Sequence, residues 1–185
     1  MPDKMKQALD RLVGVLQNIA QDDETLYREL VDSIKASVLT AFYTPKFLIE
    51  AVANQIQATF QTNGLQMKSF LEPSAGIGGF LPVAMPDTSK AAFEKDLVTG
   101  LVLSALQPDT QTVINGFETI GAQELEHGSF DVIASNIPFA TIKVFDADFE
   151  RRGIPYKQSL KAIHNYFFIK AMELLNEGGL LAFVT

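Results

Sequence analysis

The chain has 185 residues, 47% of them apolar and 20% charged, with a net charge of −7, which suits one domain with a substantial core and argues against gripping duplex DNA phosphates unaided. Cysteine is absent, excluding disulfides, thiolate catalysis and cysteine-ligated zinc, and two histidines, His127 and His164, are too few for a histidine-rich metal site, so no metal is expected. No apolar run is long enough to span a bilayer and Met1-Pro2-Asp3-Lys4 lacks the order of a signal peptide, so the default expectation is a cytoplasmic protein with no membrane partner.

In chain order, residues 1–40 form an N-terminal helical extension. Leu9, Leu12, Val13, Leu16 and Ile19 repeat at helical spacing, and so do Leu26, Leu30, Ile34 and Val38. Gln21-Asp22-Asp23-Glu24 breaks the two helices and supplies a capping acid to the second; their apolar stripes pack on the domain or on a partner. Residues 41–185 form the main domain. Thr44-Pro45 starts a helix, with Thr44 as cap and Pro45 in the first turn, running to about Phe60. Strands are predicted at Gln66–Leu71, Ala91–Phe93, Thr112–Ile114, Phe130–Ala134 and Leu180–Val184, and helices at Leu97–Leu106 and Leu160–Leu175, the latter closed by Asn176-Glu177-Gly178-Gly179. This alternation predicts an α/β fold, a doubly wound, mostly parallel sheet with helices on its faces. Residues 140–158 interrupt the pattern with charges, Gly153 and Pro155, and read as a mobile surface loop.

Two strand-end loops carry the chemistry. Glu72-Pro73-Ser74-Ala75-Gly76-Ile77-Gly78-Gly79 is a glycine turn after the first strand, where backbone can approach a ligand closely. Pro73, with no N–H to donate, suits the point where a strand leaves its ladder. Glu72 at a strand end is costly to bury without a cation, which points to a ligand bearing an ammonium group; no lysine follows the glycines, which argues against a triphosphate. Glu94, at the end of the next strand, is placed to accept from ribose hydroxyls; the plain alternative is a solvated acid. Asn136-Ile137-Pro138-Phe139, after the fourth strand, presents an amide, a carbonyl and a ring to a planar polar group, the alternative being a structural turn. His164 and Asn165 read as packing or capping residues, and His127 as inert.

Taken together in order, Phe42-Tyr43-Thr44-Pro45, Glu72 to Gly78, Glu94, Gly116-Phe117-Glu118 and Asn136-Ile137-Pro138-Phe139 resemble the class I S-adenosylmethionine-dependent methyltransferases. More narrowly, they resemble the amino-methyltransferases with an Asn/Asp-Pro-Pro-aromatic motif, chiefly DNA adenine-N6 methylases, over residues 40–185. The resemblance implies S-adenosylmethionine as cofactor and DNA as partner. Tyr43, Thr44 and Pro45 would cover the methionine end, Glu72, Pro73, Ser74, Ala75, Gly76 and Gly78 would pass beneath the cofactor, Glu94 would hold the ribose and Phe117 would flank the adenine. The side-chain oxygen of Asn136 and the carbonyl of Ile137 would accept from the substrate amine, Pro138 would shape that turn, and Phe139 would stack on a base swung out of the duplex. Two departures stand out. Gly116 replaces an acid that often holds the adenine amino group, a contact Asn115 or Glu118 could supply, and Ile137 replaces a proline, adding an N–H donor.

The resembled fold has seven strands and a target-recognition region, so the chain reads as lacking its last strands and the DNA-gripping surface. The unfinished edge at Leu180–Val184 would invite another chain, a homo-oligomer included. Two further readings stay open: methylation of a protein glutamine or an RNA guanine amine, and a non-catalytic module that keeps the fold.

Overall fold

The computed structural model describes residues 3–40, 43–120 and 129–185, so the Phe42 and His127 readings lie outside the described residues. Five strands, β1 (Ser69–Glu72), β2 (Ser89–Phe93), β3 (Thr110–Val113), β4 (Phe130–Asn136) and β5 (Leu175–Val184), form one parallel sheet in the order β3-β2-β1-β4-β5. The helices are α1 (Asp3–Ala20), α2 (Glu24–Thr40), α3 (Lys46–Thr62), α4 (Leu97–Leu106), α5 (Ala147–Arg151), α6 (Tyr156–Ser159) and α7 (Ile163–Leu174). The doubly wound architecture expected from the alternation is the one observed.

Both faces of the sheet are buried, as parallel strands require, and successive residues point to opposite layers. On one side Leu71, Ala91 and Ile133 join Phe117, Phe149, Tyr166 and Phe167 beneath α5, α6 and α7. On the other, Phe70, Ala92, Val132 and Ala134 meet Ile56 and Phe60 of α3 and Leu103 of α4. A third, smaller cluster joins Leu16 and Ala20 of α1 and Leu30 of α2 to Leu97 and Val98 of α4. Asp23 caps α2 through bonds from the Thr25 and Leu26 amides at 2.9 and 3.0 Å. The α1 stripe is only half used: Leu12 and Ile19 are exposed, because the contact with α2 selects Leu16 and Ala20 instead.

Three local expectations are corrected. Thr44 is not the cap of α3: Pro45 is, in extended geometry, and its carbonyl accepts from the Leu48 and Ile49 amides. A residue before proline is pushed out of helical geometry, and no side-chain hydrogen bond caps α3. Residues 140–158 are not a bare loop but carry α5 and α6. Asp146 caps α5 and also accepts from the Tyr166 hydroxyl at 2.8 Å and the Lys170 ammonium at 3.0 Å, while Phe149 is fully buried and Arg152 pairs with Glu173 over the Tyr156 ring. Of the charges that break the apolar pattern, Asp146 and Arg152 thus find partners on α7, while Lys143, Arg151 and Lys157 pair within the segment. Lastly, α7 ends at Leu174, and Asn176 to Gly179 lie within β5, where they bulge between the Phe130–Leu175 and Val132–Leu180 pairs, with Gly178 at φ +77°.

Candidate cofactor and substrate cleft

Strand order reverses between β1 and β4, and the loops leaving their carboxyl ends share one cleft of about 850 Å³. The Ser135 hydroxyl donates to the Ser74 carbonyl at 2.9 Å and fastens the two loops to each other. The glycine loop is held on its other sides as well. Ala75 N–H donates to the Phe93 carbonyl, Gly78 N–H to the Ala75 carbonyl, Gly76 N–H to Glu94 at 2.7 Å and Phe80 N–H to Glu72 at 3.0 Å.

Glu72, Ser74, Ala75 and Gly76 line the cleft together with Tyr43, Thr44, Glu94, Asn136, Ile137, Pro138 and Phe139. The two expected groups of residues are therefore brought to one rim. Glu72 is 1% exposed; its Oε1 takes the Phe80 amide and its Oε2 has no partner among the described residues. Burial, with a smaller push from Glu94, raises its pKa well above the ordinary carboxylate value against the opposing amides of Phe80 and Leu81. The Thr44 hydroxyl is likewise buried without a partner. Gly76 sits at φ +56° with nothing within 4 Å of where a Cβ would stand. A carboxylate oxygen and a hydroxyl lacking partners, beside backbone open enough for close approach, are what an ammonium-bearing ligand such as S-adenosylmethionine needs.

Glu94 lines the cleft but also serves the fold: Oε2 accepts from Gly76 and Oε1 from the Asp96 amide, both at 2.7 Å. Burial raises its pKa in spite of those two bonds. Asn136 closes β4 opposite Val184, and the next residue answers the question raised by its substitution for proline. The extra N–H of Ile137 donates to the Val184 carbonyl at 3.0 Å, prolonging the β4–β5 pairing by one residue, while its side chain is 3% exposed in the core. Phe139 is 73% exposed and rests one face against His164, with ring centroids 5.5 Å apart. His164 stands in the first turn of α7, whose cap Ala162 makes no side-chain hydrogen bond, so it packs rather than caps.

Four predicted cofactor residues lie off the cleft wall. Phe117 is 2% exposed and packed among Phe93, Tyr166 and Phe167, where it builds the core instead of flanking a ligand. Pro73 is buried beneath the loop, Pro45 caps α3, and Gly78 is required by packing: at φ +87°, a Cβ there would stand 2.7 Å from Leu81 and 2.9 Å from Leu103. The Glu118 carboxylate fills the space beside Gly116 and pairs with Lys95 at 3.4 Å. Sequence reasoning missed Asp96 and Thr99, which line the cleft from the start of α4; the Glu94-Lys95-Asp96 run carried the signal.

The fold is that of the class I methyltransferases, whose solved structures share this sheet. A Listeria monocytogenes protein assigned to that class superposes with a TM-score of 0.60 at 18% identity, over 79% of this chain and 48% of that one. The T. thermophilus 16S rRNA guanine-N2 methyltransferase, solved with S-adenosylmethionine and guanosine, does so at 0.50 and 19% identity, over 79% and 35%. No family model matches the chain. In sequence it is similar to Defense against restriction protein B of Escherichia phage P1, 26% identical over 148 residues, which is 79% of this chain and only 6% of that protein. Among the described residues, no helix is long and apolar enough to cross a membrane.

Proposed function

We propose that this chain is the cofactor-binding and methyl-transferring core of an S-adenosylmethionine-dependent methyltransferase acting on the N6 amine of adenine in DNA. The observation that carries the reading is the unpartnered Glu72 oxygen on the same cleft as Asn136 to Phe139. Its similarity to a protein named for defence against restriction adds support, because methylating an exocyclic amine hides a DNA site from a cleaving enzyme.

Bound there, S-adenosylmethionine supplies an electrophilic methyl group on its sulfonium. Glu72 would hold the ammonium end, Thr44 and Tyr43 would cover it, and the spare lone pairs of Glu94 would receive the ribose hydroxyls. Glu118, in the space beside Gly116, would serve the adenine amino group of the cofactor. The adenine amine of the substrate is a poor nucleophile because its lone pair is delocalised into the ring. Hydrogen bonds accepted by the Asn136 side chain and the Ile137 carbonyl favour a tetrahedral nitrogen and so localise that pair, while Phe139 stacks on the base. Methyl transfer would form the N–C bond as the C–S bond breaks, releasing the neutral thioether and passing the surplus amine proton to solvent; it would need chiefly alignment, which itself lowers the barrier by several kcal/mol.

Calorimetry with S-adenosylmethionine, followed by transfer of labelled methyl to adenine-containing DNA, guanine-containing RNA and a glutamine peptide, tests the reading. Asn136→Ala is expected to abolish transfer to DNA while leaving cofactor affinity within about twofold. A folded protein with no saturable cofactor binding refutes the cofactor half. Transfer only to RNA or peptide refutes the substrate half, and cofactor binding with no transfer to any of the three makes the chain a non-catalytic module.

A further inference from the structure

The N-terminal hairpin meets the catalytic domain at a polar contact that the apolar stripes did not foreshadow. Ser33, 9% exposed on α2, donates its hydroxyl to Asp96 Oδ2, and its Oγ accepts from the Val98 amide at 2.9 Å. Asp96 Oδ1 is occupied separately by the Thr99 amide and hydroxyl at 2.9 and 2.6 Å, capping α4. The Asp96 amide in turn donates to Glu94 Oε1, whose other oxygen holds Gly76. An unbroken run of hydrogen bonds therefore leads from α2 through Ser33, Asp96 and Glu94 to the glycine loop. The last three of its members, Asp96, Glu94 and Gly76, line the cleft, whereas Ser33 does not.

We propose that Ser33 is a positioning residue of the cofactor cleft: from α2 it fixes Asp96, and through Asp96 the clasp between Glu94 and Gly76. The hairpin of α1 and α2 is then part of the cofactor-binding machinery and not a detachable appendage. This inference rests on the cofactor half of the function proposed above. The physical basis is that Glu94 must offer its oxygens to a ligand while two backbone amides hold them, so its orientation decides what is left to offer. Asp96 sets one of those amides. Without Ser33, an Asp96 oxygen and the Val98 amide both lose a partner at a half-buried site, and α4 can shift at its first turn.

The test measures S-adenosylmethionine affinity by calorimetry for wild type, Ser33→Ala and Ser33→Thr. The alanine variant is expected to bind about tenfold more weakly and the threonine variant, which keeps the hydroxyl, to stay close to wild type. Hydrogen exchange supplies a second readout on the unaltered protein. Coupling is reciprocal, so cofactor should slow exchange at Ser33 and Val98 as well as at Gly76. Wild-type affinity in Ser33→Ala, or cofactor protection confined to Gly76 with Ser33 and Val98 unchanged, overturns the proposal. Failure of the wild-type protein to bind cofactor at all would instead refute the function on which it rests.

Discussion

Glu72→Gln should separate stability from cofactor binding. In the free protein the Glu72 carboxyl is buried, takes one amide and has one oxygen without a partner, and burial raises its pKa well above the ordinary value. Between the unfolded and folded pKa values the native state binds the extra proton. Stability from this group is therefore full below the unfolded pKa and is lost as pH rises through the folded one, at about 1.4 kcal/mol per pH unit inside the window. A glutamine has no charge to bury, so urea unfolding should find the variant at least as stable as wild type at pH 7, with a flatter pH profile. Cofactor binding should move the other way. A hydrogen bond to a charged partner contributes about 1.5–3 kcal/mol, so losing the carboxylate should weaken S-adenosylmethionine about ten- to 150-fold. Because the ammonium needs the ionised acid, wild-type binding should expel a proton, and affinity should rise with pH up to the raised pKa of free Glu72 and then level off. Calorimetry in two buffers of different ionisation enthalpy reads that proton directly. Equal affinity of variant and wild type at every pH, with no proton released, would refute the reasoning.

Gly78→Ala should lower stability by about 1–3 kcal/mol in chemical denaturation, since φ is +87° and the new methyl would press on Leu81 and Leu103. Lys170→Met should cost about 3–5 kcal/mol by leaving Asp146 buried without its cation. Burial raises the Asp146 pKa, but the Phe149 amide, the Tyr166 hydroxyl and Lys170 outweigh it and hold the pKa below its ordinary value. That stability is present above the unfolded pKa and lost as pH falls through the folded one, so acid titration of the melting temperature should show a shallower decline in the methionine variant. Phe139→Ala should raise KM for the nucleic acid about five- to 150-fold with cofactor affinity unchanged, because stacking on one base contributes about 1–3 kcal/mol; an unchanged KM would show that the ring does not meet the substrate.

Much of this was legible in the residues alone, because it is local. Apolar alternation at Phe70-Leu71, Ala91-Ala92 and Val132-Ile133 dictates strands buried on both faces, and the βαβ order dictates parallel pairing. Glycines at 76 and 78 dictate a left-handed turn after β1, and an acid before it dictates a site wanting a cation. What the residues did not disclose depends on partners distant in the chain. Phe117 looks the same in sequence whether it faces a ligand or Phe167, and only the arrival of α7 decides that it is core. Ile137 is a departure from a motif until β5 offers Val184 to its amide. Asp146 and Arg152 help spell a loop until Tyr166, Lys170 and Glu173 come into reach, and Ser33 is one serine on an amphipathic helix until Asp96 accepts its hydrogen bond. Periodicity and turn chemistry are properties of neighbours along the chain; burial and hydrogen-bond partnership are settled only when segments far apart in sequence close around them.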